Sequence, residues 1–195
     1  MIYTKTSVEE IKSWLKSNLN EERYIHSIGT AEYAKNLAMM YKLDKDKAYL
    51  AGLMHDAAKC FSAEKLLKII DENIDIIPSE RENYKTLHAP VSAYVAHKEF
   101  GITDSEILSA IRWHTIGKPN MTLFEKIIFL ADKIELNTRN DEYCQNIRAT
   151  FEKTNNIDNA LLMCYKQTIK SLVDRDLKIC PLTIDIYNEL QTLAK

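Results

Sequence analysis

The sequence predicts an all-α protein, and three observations carry that expectation. Of 195 residues only 4 are Gly and 4 are Pro, too few to turn the chain often, so long helices with short connections are expected. Helix-start signatures recur: Ser7-Val-Glu-Glu10, Thr103-Asp-Ser-Glu106 and Thr122-Leu-Phe-Glu125 each set a Ser or Thr three residues ahead of a Glu, before an apolar run. No stretch alternates apolar and polar residues between turn signals, so no sheet is expected.

The elements follow in order. Ser7 opens a helix to about residue 18, with Ile11, Trp14 and Leu15 on its apolar face. Asn20 can cap the next, to about residue 43, on which Arg23, His26 and Thr30 share a face. Asp44 caps a third helix, read through the apolar run from Ala48 to His55, Asp56 and Lys59. Ser62 caps a fourth through residue 73. Pro78 interrupts the irregular stretch 74–87 and leaves a short helix over 80–85. His88 starts the next helix, since Pro90 suits a first turn, and Gly101 ends it. The Thr103 box opens a helix to about Trp113, residues 114–119 form a loop, and the Thr122 box opens a helix over 123–136. Helices at about 141–153, 157–174 and 183–194 complete the chain, with a loop over 176–183 before the last. The architecture expected is a compact bundle without coiled-coil repeats.

Composition bounds the function. The length suits one hydrophobic core, and one domain over residues 1–195 is expected. Hydrophobic residues make up 46% and charged residues 28%, as in ordinary globular proteins. The formal net charge is −2 and no basic stripe is present, so nucleic acid is not an expected partner. No apolar run approaches the roughly 20 residues of a membrane span, so no membrane is expected either. Cys60, Cys144, Cys164 and Cys180 form no C-x-x-C pair, and no signal peptide precedes them. Reduced thiols and a cytoplasmic location are expected. Gly-rich phosphate loops are absent, which excludes P-loop and Rossmann enzymes.

The chemistry centres on Ala48-Tyr-Leu-Ala-Gly-Leu-Met-His55-Asp56-Ala-Ala-Lys59. An ionised Asp at the end of an apolar run costs several kcal/mol unless a cation meets it. Neighbouring helix residues diverge by about 100°, so His55 and Asp56 straddle one point and can both bend onto one ion. The pair alone also reads as a helix-end charge pair. Asp132 interrupts Ile127-Ile-Phe-Leu-Ala in the same way, with Ile128 and Phe129 as same-face neighbours. Taken singly it reads as a solvent-facing Asp. Together His26, His55, Asp56 and Asp132 make two imidazoles and two carboxylates on three helices, a set suited to Fe, Mn, Co, Ni or Zn.

The order His26, His55-Asp56, Asp132 resembles the H…HD…D pattern of the HD-domain superfamily of metal-dependent phosphohydrolases. Within it the chain is similar to the YqeK-type symmetrical bis(5′-nucleosyl)-tetraphosphatases. The residues that carry the likeness are Arg23-Tyr-Ile-His26, Ala51-Gly-Leu-Met-His-Asp-Ala-Ala-Lys59, Leu87-His88, Ala110-Ile-Arg-Trp-His-Thr-Ile-Gly117, Met121 and Ile128-Phe-Leu-Ala-Asp-Lys-Ile-Glu135. The resemblance implies an all-α HD bundle whose four ligands hold iron, with manganese, cobalt or nickel as alternatives. It implies a nucleotide substrate such as diadenosine tetraphosphate, cut symmetrically to two ADP. It adds the option of a homodimer, since HD bundles with an apolar outer helix often pair. Two positions depart from the family: Met54 stands where Ile or Leu is usual, and Leu136 where Pro is usual, on the path to Arg139.

Phosphoanhydride hydrolysis needs an activated water and positive charge on the phosphate oxygens. Lys59 and Arg23 share faces with the metal set and can meet phosphate. His88 and His114 stand at a helix start and in a loop, free to donate a proton, bind phosphate or hold a second metal. Phosphate contact is favoured, since neither has a carboxylate beside it in sequence. Arg139 is a further phosphate candidate. By resemblance alone, Thr115 and the residues Lys178, Cys180, Pro181 and Thr183 are expected to touch substrate. His97, near a helix C-terminus, is read as structural. Competing readings are a nucleotidase acting on (deoxy)nucleoside monophosphates, a hydrolase of guanosine polyphosphates or cyclic dinucleotides, and a non-catalytic metal-binding regulatory module. Ala58 stands where the cyclic-dinucleotide group has Gly in H-D-x-G-K, which counts against that option.

Overall fold

The computed structural model describes residues 3–194 apart from Glu82. Among them are eleven α-helices and no strand, as the scarcity of Gly and Pro requires. The helices are α1 (Val8–Asn18), α2 (Glu21–Met40), α3 (Lys45–Met54), α4 (Ala63–Asn73), α5 (Pro78–Arg81), α6 (His88–Phe100), α7 (Ser105–Trp113), α8 (Leu123–Ile134), α9 (Glu142–Thr154), α10 (Ile157–Asp174) and α11 (Pro181–Leu193). A 3-10 turn over Tyr84–Thr86 precedes α6.

The capping signatures at Ser7 and Thr122 form as complete boxes, with Glu10 and Glu125 reaching back to the cap backbone. The third does not: Asp104 caps α7 and accepts from the backbone N–H groups of Glu106 and Ile107. An Asp one residue further on offers the same acceptor with a charge suited to a helix N-terminus. The expected helix over 80–85 is two short pieces, α5 and the 3-10 turn, and Glu82 between them lies outside the described residues. So do Met1, Ile2 and Lys195, the ends of the expected 1–195 domain. α2 stops at Met40 rather than near 43, and α11 starts at Pro181 rather than Thr183, because Pro fits the first helical position.

α8 lies at the centre. Phe124, Ile127, Ile128, Phe129, Leu130, Ala131 and Ile134 are all buried on it, and it packs against α2, α3, α7, α9 and α10. α2 and α3 form the most intimate pair. Gly52 allows this, since a Cβ there would run into the backbone of Thr30 and Ala31. The result brings the His26 face of α2, the C-terminal end of α3 and the later turns of α8 to one place.

A buried ion pair ties the segment before α6 to α7. Glu80 is 3% exposed and accepts from Arg112 Nη1 at 2.7 Å and Nη2 at 2.6 Å. It also accepts from the Ile77 backbone N–H at 3.1 Å, and the guanidinium lies 4.1 Å over the Trp113 ring. Arg112→Met is expected to cost about 3 kcal/mol, because it strands the Glu80 carboxylate without its partner. Glu80→Leu combined with Arg112→Met should recover much of that loss. Urea unfolding of the three proteins checks both statements, and equal midpoints for wild type and Arg112→Met would dismiss the pair as a tie.

Candidate metal and phosphate site

The backbone at His55-Asp56 differs from the expected continuous helix. α3 ends at Met54, and His55 is its cap residue. Tight i+3 bonds follow, from Ala57 N–H to the Met54 carbonyl at 3.1 Å and from Lys59 N–H to the Asp56 carbonyl at 2.9 Å. The N–H of Ala58 is taken from outside, by Ser92 Oγ of α6 at 3.0 Å. These bonds replace the α-helical ladder and put both side chains at a helix end. Lys59 still reaches the same side, with Nζ 3.8 Å from Asp56 Oδ1.

Four histidines meet here, all 2% exposed or less: His26, His55, His88 and His114. Each has its Nδ1 anchored. That of His55 faces the Gly52 carbonyl at 2.6 Å, that of His88 the Lys85 carbonyl at 2.8 Å and that of His114 the Ile111 carbonyl at 2.7 Å. That of His26 faces the Glu135 carboxylate at 3.1 Å. A carbonyl oxygen only accepts, so the Nδ1 atoms of His55, His88 and His114 carry protons and their Nε2 atoms turn toward the cluster, while His26 has a carboxylate on either side, Glu135 at Nδ1 and Asp132 at Nε2.

The Nε2 atoms converge on two carboxylates. His26 Nε2 is 3.2 Å from His55 Nε2 and 2.9 Å from Asp132 Oδ1. His55 Nε2 is 3.6 Å from Asp56 Oδ2 and 3.7 Å from Asp132 Oδ1. This mixed nitrogen and oxygen set fits a divalent ion, which His26, His55 and Asp56 would hold, with Asp132 Oδ1 beside both imidazoles. A second group overlaps it. Asp56 Oδ1 is 3.0 Å from His88 Nε2 and 3.5 Å from His114 Nε2, and the two ring nitrogens are 3.2 Å apart. His26, His55 and Asp56 have the mutual proximity of metal ligands, as do Asp56, His88 and His114, and the two sets share Asp56. His88 and His114 therefore do have a carboxylate beside them, supplied by the α3–α4 connection and invisible in their own sequence neighbourhood.

Charge in the cluster is ordered by burial and neighbours. Burial pushes the His55 imidazole down to about 3 and lowers that of His88, so His55 is neutral at pH 7. Burial opposes ionisation of Asp56, yet the imidazoles of His55, His114 and His88 hold it well below the usual carboxylate range. Asp132 is held low against the same opposition by Lys133 and His26. Burial lowers the His26 pKa, but Asp132 and Glu135 outweigh it and the net shift is upward, so a proton competes with a cation at Nε2. Burial also lowers the Lys59 ammonium from its ordinary value, with Asp56 opposing.

Cations surround the carboxylates. Arg23 Nη1 lies 3.4 Å from Asp56 Oδ2. Lys59 Nζ lies 3.1 Å from His88 Nε2. Arg139 reaches Asp132 despite the Leu136 departure, donating from Nη2 to Oδ1 at 3.1 Å and from Nε to the Asp132 carbonyl at 2.9 Å. Thr115 Oγ1 is 3.1 Å from His114 Nε2 and 3.3 Å from His88 Nε2. The late loop sits differently. Lys178 and Pro181 are exposed and Thr183 is buried. Cys180 donates to Ser79 on α5 at 3.2 Å, which joins this loop to the segment leading to His88. His97 bonds the Ile102 carbonyl at 3.0 Å and is structural, as expected. Sequence reasoning assigned no role to Lys133, Glu135 or Ser92. Glu135 stood in the sequence as a second acid one turn after Asp132, at the end of the segment that carries the family likeness.

The loop after His114 is clamped. Tyr165 of α10 donates to the Ile116 carbonyl at 2.8 Å, and its ring stacks on Phe129. Glu125 accepts from the Thr122 backbone N–H at 2.8 Å and pairs with Lys118 at 2.7 Å. Gly117 has φ +75°, and a Cβ there would strike the Tyr165 hydroxyl. Gly117→Ala is expected to cost about 2 kcal/mol through strain and that clash, and Tyr165→Phe about 1 kcal/mol. The double variant should lose less than the sum, because the missing hydroxyl vacates the space the new methyl needs. Strict additivity in denaturant unfolding would mean the two do not meet.

Comparison with known proteins shows the family. The HD domain family model matches residues 23–137, the span that holds all four candidate ligands, His88 and His114. A Halalkalibacterium halodurans protein named symmetrical bis(5′-nucleosyl)-tetraphosphatase is 40% identical, over 90% of this chain and 92% of its own length. A Bacillus subtilis protein of the same name is 37% identical, over 93% and 96%. The crystal structure of a Clostridium acetobutylicum protein, described as a predicted HD superfamily hydrolase involved in NAD metabolism, matches with a TM-score of 0.89 and 37% identity. That match covers 96% of this chain and 98% of the other. The chain belongs to the HD-domain family, in the branch that includes the proteins named symmetrical bis(5′-nucleosyl)-tetraphosphatase.

Proposed function

We propose that the protein hydrolyses dinucleoside tetraphosphates, converting diadenosine tetraphosphate and water to two ADP. The observation that carries this reading is the meeting of His26, His55 and Asp56, with Asp132 beside both imidazoles and Arg23, Lys59 and Arg139 around them. The name of the 40%-identical relative supplies the substrate class. Iron is the metal proposed for these four residues. The mixed nitrogen and oxygen set suits it, and manganese, cobalt or nickel could replace it. The metal would supply Lewis acidity, activating water and neutralising charge on phosphate oxygens.

The chain's own residues do the rest. Arg23, Lys59 and Arg139 place positive charge where the polyphosphate lies, which favours the charge spread of phosphoryl transfer. Thr115 offers a hydroxyl between His88 and His114, fit for a phosphate oxygen. The water oxygen bonds to phosphorus as an anhydride P–O bond breaks, and one ADP leaves with that electron pair. His114, buried and anchored through Nδ1, is placed to hold a proton at Nε2 for the leaving phosphate, and His88 and Lys59 lie beside it. Contacts from Lys178, Cys180, Pro181 and Thr183 to a nucleoside belong to this reading. All four cysteines are free thiols, which supports a reducing compartment, proposed to be the cytoplasm. No helix among the described residues is long and apolar enough to cross a membrane.

The test is product analysis. Protein incubated with diadenosine tetraphosphate and Fe²⁺ or Mn²⁺ is expected to yield ADP as sole product on ion-exchange chromatography. ATP plus AMP would overturn the position of cleavage. Asp56→Ala and Asp132→Ala should each lose bound metal and hydrolysis together, whereas His114→Ala should keep its metal and lose roughly 10²–10⁴-fold in kcat. Full activity in either Asp variant would remove these residues from the site.

A further inference from the structure

Among the four site histidines His26 is set apart by its Nδ1 partner. The other three are held by backbone carbonyls, and His26 by the carboxylate of Glu135. Glu135 is fully buried and caps the end of α8, one turn beyond Asp132. Its carboxylate is fixed from several sides. Oε1 accepts from the Thr138 backbone N–H at 2.9 Å and from the Thr138 hydroxyl, and Oε2 accepts from the Asn137 N–H at 2.6 Å.

Two further features keep it there. Gly29, three residues after His26 on α2, leaves the hollow into which Glu135 fits, since a Cβ at that position would land on Oε2. Arg148 of α9 clasps the turn from outside. Its Nη2 donates to the carbonyls of Ile134 at 3.0 Å, Glu135 at 3.3 Å and Arg139 at 2.8 Å. A turn that only ended a helix would need neither a buried carboxylate nor a glycine on the facing helix.

We propose that Glu135 is a positioning residue for the metal, acting through His26: it holds the Nδ1 proton, aims the ring, and makes Nε2 a stronger donor than those of the carbonyl-bound histidines. A carboxylate opposite an imidazole N–H draws that proton and enriches the far nitrogen in electron density. The inference rests on the reading of His26 as a metal ligand. It links the two ends of the site on one helix, since Asp132 binds the metal directly and Glu135 governs the histidine facing Asp132.

The test uses Zn²⁺ alone. Glu135→Gln keeps the shape and removes the charge, and it should weaken Zn²⁺ affinity by roughly 10–100-fold in chelator competition. In the Zn²⁺-loaded protein the Nδ1 proton resonance of His26 should move upfield, while those of His55, His88 and His114 stay in place. A merely structural Glu135 would not move one ring selectively. Gly29→Ala, which displaces the carboxylate without removing it, should change both readings in the same direction, and it decides the matter if Glu135→Gln fails to fold. Zn²⁺ affinity within twofold of wild type, or an unmoved His26 resonance, overturns the proposal and leaves the hydrolase reading standing. A wild-type chain that takes up no Zn²⁺ overturns the proposal as well, while the hydrolase reading is judged by its own products with Fe²⁺ or Mn²⁺. No nucleotide enters the assay, so substrate identity does not affect the outcome.

Discussion

Two buried carboxylates, Asp56 and Asp132, set the problem that the rest of the structure solves. They are 2% and 5% exposed, and charge so placed costs several kcal/mol without compensation. Compensation comes in two layers. Imidazole nitrogens face the carboxylates directly, and Arg23, Lys59, Lys133 and Arg139 approach from the rim. The arrangement concentrates ligand atoms and positive charge together, which is what a metal-dependent attack on a polyphosphate requires.

Helix ends supply much of the geometry. His55 and Asp56 follow α3, His88 begins α6 and His114 closes α7, while His26 and Asp132 project from α2 and α8. At the end of a helix a side chain is released from the 3.6-residue period, and an Nδ1 can find an unpaired carbonyl three residues back. His55, His88 and His114 all do this, with Gly52, Lys85 and Ile111. The same local rule thus aims three rings. The fourth, inside α2, faces instead the carboxylate of Glu135 at the end of α8.

Much of this was legible in order along the chain. Caps at Ser7, Asn20, Asp44, Ser62 and Thr122 mark where helices begin, because each satisfies backbone N–H groups that nothing else would. His55, Asp56 and Asp132 stood out as polar residues that end or interrupt apolar runs, and His26 completed the H…HD…D order. The errors were local too. Periodicity continues a helix through His55-Asp56 to Lys59, and the Ser92 hydroxyl of α6, taking the Ala58 N–H, shows why the ladder breaks there.

The sequence by itself determined the fold class, most helix starts and the identity of the candidate ligands, because capping, periodicity and the cost of burying charge act within a few residues of one another. Tertiary structure decided what those rules cannot reach. It set Asp56 between two pairs of histidines, brought Arg139 onto Asp132 past Leu136, and seated Glu135 in the hollow left by Gly29. These contacts join residues up to 106 positions apart, Gly29 and Glu135, and their distances depend on how α2, α3 and α8 pack, which no local pattern encodes.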